Sequence, residues 1–151
     1  MHALLRRSVI GALAGLIAAP ALLAAEMDTA TGKRVALQGY DPVSYFTNGR
    51  PEKGSPQFSA AFDDATYWFK TAEHQAMFVA DAQRYAPQFG GFCAINLSRG
   101  AKLEADPEAW VIADGRLYVF GAKEGVPIFR RQTASIVDKA SENWAELRRT
   151  P

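Results

Sequence analysis

A chain of 151 residues, 48% of them hydrophobic and 22% charged, has the make-up of one globular domain and excludes a disordered tail, a collagen repeat and a coiled coil. Seventeen basic and sixteen acidic side chains leave a net charge of +1, which offers no electrostatic footprint for nucleic acid. One cysteine, Cys93, and two histidines, His2 and His74, exclude a framework of internal disulfides and any four-cysteine zinc centre.

Arg6 and Arg7 precede an uncharged run from Val9 to Ala25, interrupted by Gly11, Gly15 and Pro20. That layout predicts a secretory signal peptide over residues 1–25 and hence the periplasm as destination. Arg6-Arg-Ser-Val-Ile10 also fits a twin-arginine signal, so both export routes stay open. The run is too short and too interrupted for a spanning helix, and no stable membrane anchor is expected after cleavage. Taking Arg6 and Arg7 from the seventeen basic groups leaves fifteen against sixteen acidic, with His74 the one remaining histidine.

Residues 26–37 read as a flexible polar leader. Asp41-Pro42 places a turn before a short apolar run to Phe46, and a Gly- and Pro-rich loop follows over 47–56. Phe58 to Phe62 and Thr66 to Phe69 flank Asp63-Asp64-Ala65 as a β-hairpin. Thr71 offers an N-cap to a helix over Ala72 to Asp81, which carries His74, Met77 and Phe78 on one side. Gly90 and Gly91 allow positive φ or close backbone approach. Trp110 to Phe120 holds two β-rich runs joined by Asp114-Gly115, the favoured hairpin turn. Ile136, Val137, Ala140, Trp144 and Leu147 share one face of a terminal helix over Thr133 to Arg149. The expected fold is a small α+β domain: two β-hairpins forming an antiparallel sheet, a central short helix, and a C-terminal helix packed on the sheet.

Three blocks, Gly39-Tyr-Asp-Pro-Val-Ser-Tyr-Phe46, Tyr67-Trp-Phe-Lys-Thr-Ala-Glu-His74 and Tyr85-Ala-Pro-Gln-Phe-Gly-Gly-Phe-Cys-Ala94, stand in order along the chain. With Asp106-Pro-Glu-Ala-Trp110 and Asp114-Gly-Arg-Leu-Tyr118 they resemble the YHS domain in its secreted bacterial single-domain form, over residues 38–147. The resemblance implies metal binding, copper first. It also marks a departure. In the cysteine-rich domains of copper-transporting ATPases the corresponding blocks carry cysteines where this chain has Ser44, Lys70 and His74, so the thiolate cluster is missing.

The residues themselves leave three chemistries open. A neutral imidazole at His74 and a thiolate at Cys93, with Met77 one helical turn from His74, would make an open, exchangeable site for copper or zinc, suited to periplasmic metal handling with a metal-transfer partner. The same pair could act as a thiol redox dyad, His74 serving as base, with an external redox partner because no second cysteine exists. Alternatively Tyr40, Tyr45, Tyr67, Trp68, Phe89, Phe92, Trp110 and Tyr118 could line an apolar pocket for a small ligand or for haem, with His74 or Cys93 as axial ligand. No Cys-x-x-Cys-His motif is present, which excludes covalent haem. Binding of a metal ion or small ligand is expected ahead of enzymatic activity.

Overall fold

The computed structural model describes residues 33–151, and the signal-peptide expectation over 1–25 lies outside the described residues. The α+β class holds. Among the described residues the elements run β1 (Arg34–Val35), α1 (Ser44–Thr47), β2 (Ser55–Phe62), β3 (Ala65–Phe69), α2 (Ala72–Ala80), α3 (Ala82–Tyr85), α4 (Ala94–Ser98), β4 (Asp106–Ala113), β5 (Arg116–Phe120), α5 (Gly125–Arg131) and α6 (Thr133–Leu147).

The two hairpins, expected to share one sheet, form separate sheets. β3 lies between β1, which runs parallel to it, and β2, which runs antiparallel; β4 and β5 pair only with each other. Each hairpin has its own buried face. In β3, Ala65, Tyr67 and Phe69 alternate inward, as period-two geometry requires, and meet Phe78 of α2 at ring separations of 5.0 Å for both Tyr67 and Phe69. Leu117 to Phe120 of β5 are all buried, and Tyr118 and Phe120 pack on Phe129 of α5.

These contacts build two apolar clusters. One gathers Ala36, Val43, Tyr67, Phe69, Phe78 and Tyr85; the other gathers Leu37, Tyr45, Cys93, Leu117, Phe120, Phe129 and Ile136. Phe46 packs against both. Successive residues Ala36 and Leu37 enter different clusters, with 0% and 1% exposure, because Leu37 and Gln38 both adopt left-handed backbone (φ 53° and 51°) and turn the chain sharply. Of the leader expected over 26–37, residues 34–37 belong to the fold, tied down by strand pairing and by burial of apolar side chains, and residues 26–32 lie outside the described residues.

The terminal helix also packs differently from the expectation. α6 lies chiefly against α4, where Asn143 Nδ2 donates to the Leu97 carbonyl at 2.7 Å, and Trp144 meets Phe89 and Phe92 instead of a sheet face. The Asp114-Gly115 hairpin turn forms as expected, with φ of 50° and 71°. Gly39 answers to a tighter demand. Its φ is 81°, and a Cβ there would lie 2.6 Å from the Trp68 ring.

Candidate functional site

Local chemistry sets His74 in place. The Thr71 hydroxyl accepts the His74 amide N–H at 3.1 Å, capping α2 and fixing His74 in its first turn. The Asp41-Pro42 turn brings a fully buried carboxylate against it. Asp41 Oδ1 accepts the Val43 N–H at 2.8 Å, while Oδ2 accepts the Lys70 N–H at 2.8 Å and His74 Nδ1–H at 2.6 Å. In a neutral imidazole with Nδ1 donating, Nε2 carries the lone pair, the tautomer that carboxylate-held histidines present. Nε2 lies 3.4 Å from Thr47 Oγ1, which sits 3.1 Å from the Val43 carbonyl.

Beside this pair lies a second carboxylate. Glu52 accepts from Ser44 Oγ at 3.0 Å, Asn48 Nδ2 at 2.6 Å, Lys70 Nζ at 2.8 Å and the Arg50 guanidinium at 3.1 Å. The hydrogen bond from Lys70, followed by that from Asn48, holds its acidity at about 2, below the usual 4.5. Ser44, Lys70 and His74, the positions the resemblance aligns with cysteines, thus gather around two carboxylates. The Lys70 ammonium and Arg50 supply the positive charge there, so a metal ion would have to displace cations that already saturate Glu52.

Cys93 has a different set of partners. It is 3% exposed, its Sγ accepts the Asn96 N–H at 3.5 Å as the cap of α4, and its own N–H donates to the Leu103 carbonyl at 2.9 Å. It belongs to the cluster with Leu37 and Tyr45, whereas Met77 packs on the cluster with Phe69 and Phe78. No hydrogen bond joins Cys93 to His74. Among the described residues no group of three or more His, Cys, Asp or Glu side chains is placed to hold a metal ion.

The structure shows instead a cavity of about 530 Å³. Phe62, Tyr67, Phe92, Leu103 and Trp144 supply its apolar wall, and Arg34, Lys102, Glu104, Arg148, Asp63 and Asp64 its polar parts. β1 positions Arg34, whose guanidinium lies 4.0 Å over the Phe92 ring, reaches both Glu104 oxygens at 3.1 Å, and donates to the Gly90 carbonyl. Phe92 in turn meets Trp144 of α6 with ring centroids 5.8 Å apart. Phe89 and Gly90 both take left-handed backbone, and a Cβ on Gly90 would lie 3.4 Å from Trp144 and 3.5 Å from Arg34. Those are ordinary van der Waals separations, so the φ of 61°, not lack of space, is what favours glycine at position 90. Left-handed backbone at Phe89 costs about 1 to 2 kcal/mol, held by the surrounding packing. A neighbouring, more polar cleft of about 690 Å³ shares Phe62, Tyr67, Gly90 and Trp144 with the cavity.

Of the aromatics named from sequence, Tyr67 and Phe92 line this cavity and Phe89 the neighbouring cleft. Tyr45 and Tyr118 are buried in the core, Tyr40 and Trp110 pack against it, and Trp68 covers Gly39. Burial pushes the phenols of Tyr45, Tyr67 and Tyr118 upward from their ordinary acidity. Neither His74 nor Cys93 lines the cavity, so the haem ligation expected from sequence has no axial donor of either kind there. Sequence reasoning missed Arg34, Phe62, Lys102, Leu103 and Trp144. Trp144 carried a signal, since an indole on an amphipathic face needs a large partner, but period alone did not say which.

No helix among the described residues is long and apolar enough to cross a membrane. Compared with protein-family models, curated proteins and solved structures, the chain matches none.

Proposed function

We propose that this chain is an exported YHS-like domain that binds a small, largely apolar molecule. The observation that supports this reading is the cavity of about 530 Å³ walled by Phe62, Tyr67, Phe92, Leu103 and Trp144, a volume and lining of the kind small-molecule sites use. The aromatic faces contribute binding through burial, and the ion pairs at the rim keep the side chains ordered before a ligand arrives. Titration with N-phenyl-1-naphthylamine, a neutral probe that fluoresces in apolar surroundings, tests the reading. One saturable site is expected, weakened about tenfold or more by Leu103→Glu, which puts a charge at the apolar mouth where Leu103 is already 53% exposed. Absence of saturable binding, or equal binding by the variant, overturns it.

A second reading, reversible transition-metal binding with copper first, draws support from the Asp41 carboxylate, which orients His74 through Nδ1 and leaves Nε2 facing the Thr47 hydroxyl at 3.4 Å. Cys93 belongs to one apolar cluster and Met77 packs against the other, which favours a site without both sulfur donors together. Binding at His74 alone would be weak and exchangeable. Copper titrations of the chain, His74→Ala and Cys93→Ser separate the cases: loss of binding in His74→Ala with retention in Cys93→Ser supports this reading, and equal binding by all three removes it.

A further inference from the structure

We infer that the occupant of the cavity carries an anionic head group held by Lys102, an inference that rests on the cavity reading above. The charges of the lining point to it. Arg34 is neutralised by both oxygens of Glu104 and by the Gly90 carbonyl. Arg148 Nη2 lies 3.9 Å from a carboxylate oxygen of Asp63 and 3.9 Å from one of Asp64. Lys102 alone among these cations has no carboxylate partner among the described residues; its ammonium donates to the Thr150 carbonyl. An ammonium has three N–H donors, so it retains donors and a full positive charge. Its Nζ stands 5.4 Å from the centroid of the Phe92 ring, the ring that also meets Trp144. Next to it in the chain, Leu103 is exposed and lines the same cavity.

The wall therefore has an apolar length, Phe92 with Trp144, and beside it Lys102, the one lining cation without an ion-pair partner among the described residues, in a lining whose three cations and three carboxylates balance in number. A molecule with an apolar body and a single anionic head meets both: the body lies on the rings and the head takes the spare donors of Lys102 as charge-assisted hydrogen bonds. A neutral head forgoes that charge term, and a cationic head is repelled. The ligand class is an amphiphilic monoanion, such as a medium-chain or aryl carboxylate.

Displacement of N-phenyl-1-naphthylamine from the chain by decanoate, decanol and decylamine reads this directly. Decanoate is expected to compete about tenfold better than decanol, with decylamine the weakest, since a charge-assisted hydrogen bond is worth about that factor. In Lys102→Met the ratio of decanoate to decanol affinity should fall toward one, and Lys102→Arg should restore it. Equal competition by decanoate and decanol in the unaltered chain, or an unchanged ratio in Lys102→Met, overturns the anionic head and leaves the apolar cavity standing. Failure of the probe itself to bind removes the cavity reading and this inference with it.

Discussion

Asp41 shows how much one side chain can organise. A fully buried carboxylate that accepts two backbone N–H groups and an imidazole N–H joins the turn before α1, the end of β3 and the start of α2. Asp41→Ala would leave those donors unpaired in a dry environment, and a loss of about 3 to 5 kcal/mol is expected in urea unfolding. His74→Ala leaves the two backbone bonds to Asp41 in place and should cost less. A cost for His74→Ala equal to or above that of Asp41→Ala would mean that the imidazole, not the carboxylate, is the centre of the network. Glu52 makes a pH prediction. Its folded-state acidity, at about 2 against the usual 4.5, means that ionised Glu52 favours the folded state. That contribution is fully present above pH 4.5 and is lost as pH falls from 4.5 toward 2. The stability difference between the chain and Glu52→Gln, followed by urea unfolding, should therefore shrink over that window; a constant difference would show that Glu52 keeps its ordinary acidity in the folded protein. Neither carboxylate's role was legible in the sequence. Asp41 read as a turn residue, which it is, but its second oxygen bonds to residues about thirty positions away that no local pattern links to it.

At the scale of elements, local rules carried most of the hairpins and helices. The β4–β5 turn followed from Asp114-Gly115, and α2 begins where the Thr71 cap requires. Short elements escaped, α4 and α5 among them, because four to seven residues are too few for a periodic pattern to stand out. β1 escaped for another reason: a two-residue strand is stabilised by its neighbour β3 and by the burial of Ala36 and Leu37 behind it, none of which shows in its own composition. A chain beginning at Gln38 should therefore be less stable than one beginning at Lys33. Loss of the buried Leu37 alone is worth about 1.5 to 3 kcal/mol, and the Arg34 bonds to Glu104 and Gly90 go with it. Equal urea midpoints for the two chains would return residues 33–37 to the status of a loose leader.

At the scale of the whole molecule, two apolar clusters meet through Phe46 and through the adjacent burial of Ala36 and Leu37. That connection predicts one cooperative transition. Unfolding followed by tryptophan fluorescence, with Trp68 in the first sheet and Trp110 in the second, should coincide with loss of far-ultraviolet circular dichroism. Separate midpoints would show that the clusters melt independently. Phe46→Ala should weaken the domain by about 2 kcal/mol, less than loss of a fully buried phenylalanine because Phe46 is half-buried.

Composition and periodicity by themselves determined the α+β class, the hairpin at Asp114-Gly115, the cap of α2 and the amphipathic face of α6, because each depends on residues within a few positions of one another. Tertiary structure decided that the hairpins belong to separate sheets, that His74 bonds to Asp41 while Cys93 caps α4, and that Trp144 closes an aromatic wall with Phe92. Those outcomes depend on which buried faces find each other, and burial is a property of residues distant in the chain. The scarcity of cysteine and histidine stood out in the sequence; the cavity did not, since Arg34, Tyr67, Phe92, Lys102 and Trp144 become neighbours only once β1, β3 and α6 are in place.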